Sequence, residues 1–242
     1  MSLQTTIYCQ PHASRHPAII FNHGSTGRGM VPASDVEHGG STGVFLHSLG
    51  YVVVMPMRKG RGTSDGPYFE EDDSVAPAVQ LESAIEDLRA AVQYVRTRQD
   101  VDPKKIVLAG QSRGGLLSVA YAGRYPGDVA GVINFAGGWF GEDAPSPNYN
   151  FEIFAKAGHD AKVPMLWLYA DHDSFYSLKF IEREFSGFRD AGGRGELFEA
   201  RDIPGNGHFL CEWVDRWRNK VTTYLNDISQ EPLDGLGTEP RR

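Results

Sequence analysis

Five short runs in this chain are apolar at nearly every position: Pro17–Asn22, Tyr51–Met55, Lys105–Ala109, Val129–Phe135 and Pro164–Ala170. A strand with one wet face alternates apolar and polar residues, so a strand apolar at both parities must be covered on both faces. Between these runs the period changes. Over 78–98 the residues Leu81, Ile85, Leu88, Val92 and Val95 recur at spacings of four and three, a single helical stripe. Asp100, Asp102 and Pro103 then mark the turn into the next strand. Leu116–Tyr125, Ser177–Phe188 and Phe209–Leu225 carry further helical patterns. This alternation predicts an α/β fold, a doubly wound, mostly parallel sheet flanked by helices on both faces. Two stretches, Gly27–Thr42 and Trp139–Lys162, are long for connections in such a fold and are expected to serve a binding site. The second has no room for a large lid. Residues 1–225 are expected to form one domain, and 226–242, with Pro232, Gly235, Gly237 and Pro240, a polar tail.

Composition narrows the function. With 24 Lys plus Arg against 31 Asp plus Glu, the net charge of −7 argues against nucleic acid or an anionic membrane as partner. The densest apolar run, Tyr51–Met57, is broken by Pro56 and is far too short to span a bilayer. No basic segment followed by an apolar core opens the chain, and Cys9 and Cys211 stand far apart, as two free thiols would. A cytoplasmic location is the expectation, or a periplasmic or secreted one if a signal peptide was removed. At 242 residues the chain can bury a full core without a metal or disulfide staple.

The pattern Gly-x-Ser-x-Gly occurs three times, around Ser41, Ser64 and Ser112. A nucleophile elbow needs a strand running straight into a sharp turn, then a helix whose N-terminus sits beneath the serine. Ser41 follows the polar stretch Asp35–Gly40, and Ser64 is followed by Asp65, Gly66, Pro67 and a run of acids, so neither has both flanks. Ser112 has Lys105–Ala109 before it and Leu116–Ala122 after it. Gly110 and Gly114 remove β-carbons that would collide in the turn, and Gly115 lets the helix approach the strand.

A serine hydroxyl needs a base, and the base an orienting acid. On sheets carrying such an elbow these follow in the order acid, then histidine. Three histidines lie downstream of Ser112: His159, His172 and His208. His208 sits in Pro204-Gly205-Asn206-Gly207-His208, a flexible loop opening the last helical pattern, where a helix N-terminus favours the neutral imidazole. His159 reads as a solvated loop residue. His172, between two aspartates, lacks the further spaced ligands of a metal site, so no metal is expected. The acid is expected at the end of the penultimate strand of the fold, here Pro164–Ala170, which leaves Asp171 or Asp173. For the developing oxyanion the backbone N–H groups of Arg113, after the nucleophile, and Ser25, in the loop Asn22–Gly27, are the candidate donors. His23 reads as a residue bracing that loop.

With these motifs in place the chain resembles the α/β-hydrolase superfamily, and within it the dienelactone-hydrolase-like and prolyl-oligopeptidase-like serine hydrolases. The resemblance rests on His23-Gly24, on Arg58-Lys59-Gly60-Arg61-Gly62-Thr63-Ser64, on Gly110–Gly115, on Ala170-Asp171-His172-Asp173 and on Gly207-His208, in that order. It implies a Ser-Asp-His hydrolase of esters, amides or lactones that needs no cofactor. It also implies that the chain opens on the second strand of the fold. Dienelactone hydrolases themselves use a cysteine where this chain has Ser112. In the family the acid stands three residues beyond a small residue that ends its strand; Ala170 is that residue here, which implies Asp173. A carboxylate there, past the turn, leans toward the His208 loop, whereas Asp171 is placed to bond turn backbone. The alternative role for Asp173 is to cap a helix beginning near Phe175.

A shallow cleft walled by Trp139, Phe140, Tyr149, Phe151, Phe154, Phe175, Tyr176 and Phe209 would suit small acyl or aromatic esters. Arg58, Lys59 and Arg61 read as a solvated basic loop or as an attractor for carboxylates. The leading expectation is a serine carboxylic-ester hydrolase working on a small-molecule substrate. A peptidase or amidase with the same triad and a non-catalytic binding protein on the same fold are the alternatives.

Overall fold

The computed structural model describes residues 1–11, 14–27, 31, 37–146 and 148–230. In chain order the elements are β1 (Thr5–Tyr8), β2 (His16–Asn22), α1 (Gly40–Ser48), β3 (Val52–Pro56), α2 (Pro77–Thr97), β4 (Val101–Gln111), α3 (Arg113–Arg124), β5 (Gly131–Phe135), α4 (Tyr149–Asp160), β6 (Met165–Ala170), α5 (Leu178–Asp190), β7 (Gly195–Ala200) and α6 (Val214–Gln230). A 3-10 turn, Gly207–Glu212, precedes α6. The seven strands pair in the order β1-β3-β2-β4-β5-β6-β7. Among the described residues only β1 runs antiparallel to its neighbour, and every other pairing is parallel.

The doubly apolar strands sort cleanly between two cores. From β2, Ala18 and Ile20 face one core, Ile19 and Phe21 the other; from β6, Met165, Trp167 and Tyr169 part from Leu166, Leu168 and Ala170 in the same way. The first core is completed by α2, α3, α4 and α5, through residues such as Leu88, Leu117, Phe154 and Phe188. The second is completed by α1 and α6, through Leu46, Trp217, Val221 and Leu225. Period-two side-chain direction thus turns each apolar run into two buried faces.

Several boundaries depart from the sequence reading. The edge strands β1 and β7 are absent from it because half-exposed strands such as Gly195–Ala200 keep polar residues, Glu196 and Glu199 among them. Helix α1 is hidden by its glycines, Gly40 and Gly43. The expected loop over 139–162 contains α4, whose Phe154 and Ala157 pack into the helical layer, so the true loop is short. The last helix splits at Trp213, and α6 runs on to Gln230, because Ile228 continues the stripe of Trp217, Val221 and Leu225. The tail expected from Asn226 therefore starts no earlier than 231, and 231–242 lie outside the described residues, as does part of the loop 27–42. No helix among the described residues is long and apolar enough to cross a membrane.

Candidate active site

Strand β4 ends at Gln111 and α3 begins at Arg113, leaving Ser112 alone in the turn with φ 55° and ψ −125°. A non-glycine residue in that region is strained and needs support from its surroundings. Ser112 N–H donates to the Phe135 carbonyl at the end of β5 (2.9 Å), and the Ser112 carbonyl accepts from Gly115 and Gly138 (2.9 and 3.2 Å). The glycines are needed for close approach: a Cβ at Gly110 would strike Gly114, and one at Gly114 would strike the Asn22 and His23 carbonyls. The amide of Arg113, at the first turn of α3, is one of the N–H groups that a helix leaves without an internal partner.

The other two Gly-x-Ser-x-Gly serines are occupied elsewhere. Ser41 lies in the first turn of α1 and donates to the Glu212 carbonyl (3.0 Å); Ser64 donates to the Met57 carbonyl and accepts from the Gln4 amide (2.8 and 2.9 Å).

His208 is buried in the 3-10 turn, and its Nδ1 lies 3.1 Å from each oxygen of Asp173. The same carboxylate accepts the amides of Phe175 and Tyr176 (2.8 and 3.2 Å), so Asp173 caps its own turn and meets the imidazole together. Helix α5 begins further on, at Leu178, capped by Ser177. Asp171 faces another way, accepting from the amides of Asp202 and Ile203 (2.8 and 3.4 Å). Partial burial opposes its charge, but those amides and nearby His172 and Arg201 outweigh it and hold its carboxyl below the usual range. His172 is exposed, and His159 sits exposed at the end of α4 beside Asp160.

Asn206 carries no sequence mark of a site residue. Its Oδ1 accepts from the amides of His208 and Ser174 (3.0 and 3.1 Å) and its Nδ2 donates to Ser174 Oγ (2.9 Å), tying the histidine loop to the aspartate turn. Gly207 N–H adds a bond to the His172 carbonyl (3.1 Å), and a Cβ there would collide with the Asp171 carbonyl. Gln111, beside the elbow, donates to the His208 carbonyl (3.0 Å).

The loop after β2 is held from below. Arg58 is no solvated cation: with 3% of its surface exposed, it is paired with Glu70, 5% exposed. Its guanidinium donates to the carbonyls of His23 (2.8 Å) and Gly24 (3.0 Å). In a trans peptide the N–H opposes the C=O, so the amide of Ser25 points away from Arg58. Burial opposes both charges of the pair, yet each partner stabilises the other, raising the Arg58 pKa and lowering that of Glu70. His23 donates from Nδ1 to the Gly24 carbonyl (2.7 Å) and accepts the Arg58 amide at Nε2 (3.2 Å). Burial, reinforced by the Arg58 charge, pushes its pKa down to about 3, so it braces the loop as a neutral ring. Lys59 pairs with Asp87 at 3.2 Å, and Arg61 is buried over the Tyr68 ring. None of the three basic residues is a solvated attractor.

Ser25, Ser112, Arg113, Trp139, Phe140, Phe175, Tyr176, His208 and Phe209 line one cavity of about 450 Å³, together with Glu71 and Gln111. The expected wall residues Tyr149, Phe151 and Phe154 are not among them: Tyr149 packs on Phe140, Phe151 on Arg183, and Phe154 is in the core. Asn150, buried on α4, holds the wall by accepting from the amides of Trp139 and Phe140 (2.8 and 3.2 Å) and donating to the Phe140 carbonyl (2.7 Å). Phe175 and Phe209 pack against the His208 ring at centroid distances of 4.5 and 5.7 Å yet remain 49% and 45% exposed. They form an aromatic rim.

A strained serine between β4 and α3, on a mostly parallel sheet wound on both faces, defines an α/β-hydrolase. The sequence profile of the dienelactone hydrolase family matches residues 4–197, and the chain belongs to that family. Solved structures share the fold at low identity. Esterase PE8 is 19% identical with a TM-score of 0.67, the alignment covering 94% of this chain and 100% of that one. The propionate-bound thermophilic esterase Est2 of Thermogutta terrifontis is 18% identical, TM-score 0.63, over 94% of this chain and 90% of that one. Est1E from Butyrivibrio proteoclasticus, bound to ferulic acid, is 16% identical, TM-score 0.63, over 91% and 96%. Membership of this family makes the chain a hydrolase, and the solved esterases share its fold.

Proposed function

We propose that the chain is a serine-dependent carboxylic-ester hydrolase that cleaves small esters through an acyl-enzyme, with Ser112 as nucleophile, His208 as base and Asp173 as its orienting acid. The observation that carries this reading is that His208, held at Nδ1 by the buried Asp173 side chain, lines the same cavity as the elbow serine. With Nδ1–H engaged by Asp173, His208 keeps its Nε2 lone pair for the serine proton. Ser112 Oγ then attacks the ester carbonyl carbon while its proton passes to His208 Nε2. The carbonyl oxygen, now carrying the charge, meets the amides of Arg113 and Ser25. Collapse expels the alcohol, which takes the proton from His208, and a water repeats the sequence in reverse roles to release the acid.

The walls favour an uncharged, compact substrate. Arg113 is matched by Glu71 at 2.8 Å, so the cavity offers no free cation for a carboxylate among the described residues. The aromatic lining and the absence of a lid among the described residues suit short acyl chains or aromatic groups. Cys9 and Cys211 are both free thiols, one exposed and one buried. The test is a fluorophosphonate label together with p-nitrophenyl acetate turnover. Labelling of Ser112 and its loss in Ser112→Ala are expected; an unlabelled protein without esterase activity would leave a binding role. Matched ester and amide substrates separate esterase from amidase.

A further inference from the structure

Glu71 stands in the acidic run Glu70-Glu71-Asp72-Asp73, which in sequence looks like solvated surface. In the structure its Oε1 accepts from Ser25 Oγ (2.5 Å) and meets Arg113 Nη1 at 2.8 Å. Those are the two residues whose amides the proposed mechanism assigns to the oxyanion, one on the loop after β2 and the other at the head of α3. One carboxylate oxygen therefore joins the two sides of the oxyanion site. Each partner is restrained in turn. Ser25 Oγ accepts the Gly27 amide (3.3 Å), while the Arg113 guanidinium donates to the Glu70 carbonyl (2.7 Å) and lies over the Trp139 ring at 4.9 Å. The neighbouring Glu70 fixes the same loop through Arg58. Consecutive acids thus grip the loop from two directions.

We propose that Glu71 is a positioning residue that sets the separation of the Ser25 and Arg113 amides, and so the fit of the site to the tetrahedral intermediate rather than to the ground-state ester. The proposal rests on the serine-hydrolase reading above. Only an acceptor able to serve a hydroxyl and a guanidinium together can form this bridge, and a charged one forms it most strongly. Oxyanion donors act only when aimed at where charge develops, and a small displacement there costs rate without costing substrate affinity.

The experiment compares Glu71→Ala, Glu71→Gln, Ser25→Ala and Ser112→Ala on p-nitrophenyl acetate, and measures inhibition by an alkyl trifluoromethyl ketone, which adds to the serine as an oxyanion. Glu71→Ala is expected to lower kcat by about ten- to a hundredfold with KM nearly unchanged, and to weaken the ketone by a similar factor. Glu71→Gln, which keeps an acceptor, should fall between wild type and Ala. Adding Ser25→Ala to Glu71→Ala should cost little more, because the bridge is already gone. If Glu71→Ala melts too early to assay, Ser25→Ala, at an exposed position, carries the test: kcat should fall at unchanged KM. Wild-type kcat and ketone affinity in these variants, a change confined to KM, or equal losses in Gln and Ala would overturn the proposal. Ser112→Ala separates the two readings: if it stays active, the serine mechanism fails, whereas a dead Ser112→Ala beside a fully active Glu71→Ala sinks this inference alone.

Discussion

Asp173 and Asp171 are two residues apart, yet their carboxylates serve different partners: Asp173 faces Nδ1 of His208 with both oxygens at 3.1 Å, and Asp171 accepts backbone amides of Asp202 and Ile203. His172, between them, has φ 56°, the left-handed turn that sends the two side chains apart.

Asp173→Asn should therefore fold and yet lose several orders of magnitude in kcat (~10⁴ in the best-studied triad), because the imidazole loses its tautomer. Asp171→Asn should cost far less in rate and show its effect in stability. Circular dichroism and p-nitrophenyl acetate kinetics on both variants decide; the opposite ranking in folded proteins would move the acid to Asp171.

Ser112→Ala should reduce turnover to near background, a loss of about 10⁶-fold where such a nucleophile has been removed from a triad. Ser41→Ala and Ser64→Ala should keep most activity. Ser64 is buried between Gln4 and Met57, so its loss is expected to cost stability, about 1–3 kcal/mol for the orphaned partners. Denaturant melts alongside activity assays separate these effects.

Much of this site is legible in the sequence itself. The elbow shows because strand, serine and helix are contiguous, and the His208 loop because its glycines stand next to a helical pattern. What stays hidden depends on long-range pairing. Arg58 looks solvated until Glu70, twelve residues on, is seen beside it, since a charge carries no sequence mark of burial. Asn206 and Asn150 act through backbone amides, which any residue owns. The edge strands β1 and β7 escape because half-wet strands lack the doubly apolar signature, and α4 because it follows a stretch rich in proline and glycine and looks like more loop until Phe154 is placed in the core.

A preference for short acyl chains follows from the cavity of about 450 Å³, closed at one side by buried Trp139 and Tyr176. Across p-nitrophenyl esters, kcat/KM should peak at short chains and fall as they lengthen. A maximum at twelve carbons or more, with activation at a lipid interface, would contradict it.

Two buried groups give stability an unusual pH profile. His23 has its pKa pushed down to about 3, so between pH 6.5 and 3 the unfolded chain binds the extra proton and stability falls as pH falls, by up to about 1.4 kcal/mol per pH unit. Glu184 works in the other direction. Burial raises its pKa from 4.5 to about 7 against the pull of Arg183, so in that interval the folded state holds the extra proton and stability falls as pH rises. Between pH 4.5 and 6.5 the two slopes oppose. Glu184→Gln should expose the His23 slope, with Tm dropping more steeply than wild type on going from pH 6.5 to 4.5, and His23→Asn should do the reverse. Superimposable Tm curves for wild type and both variants would refute the assignment.

The Asn206 side chain, pinned to Ser174 on one loop and to the His208 amide on its own, has a consequence for how this enzyme fails. The proposed acid and base, Asp173 and His208, ride on a pair of loops latched to each other, while the proposed nucleophile, Ser112, rides on the sheet. Warming should release the latched pair as a unit, switching catalysis off below the temperature at which the sheet melts and restoring it on cooling. The working ceiling of the enzyme would then be set by one asparagine between two loops, not by the tightly packed centre of the molecule.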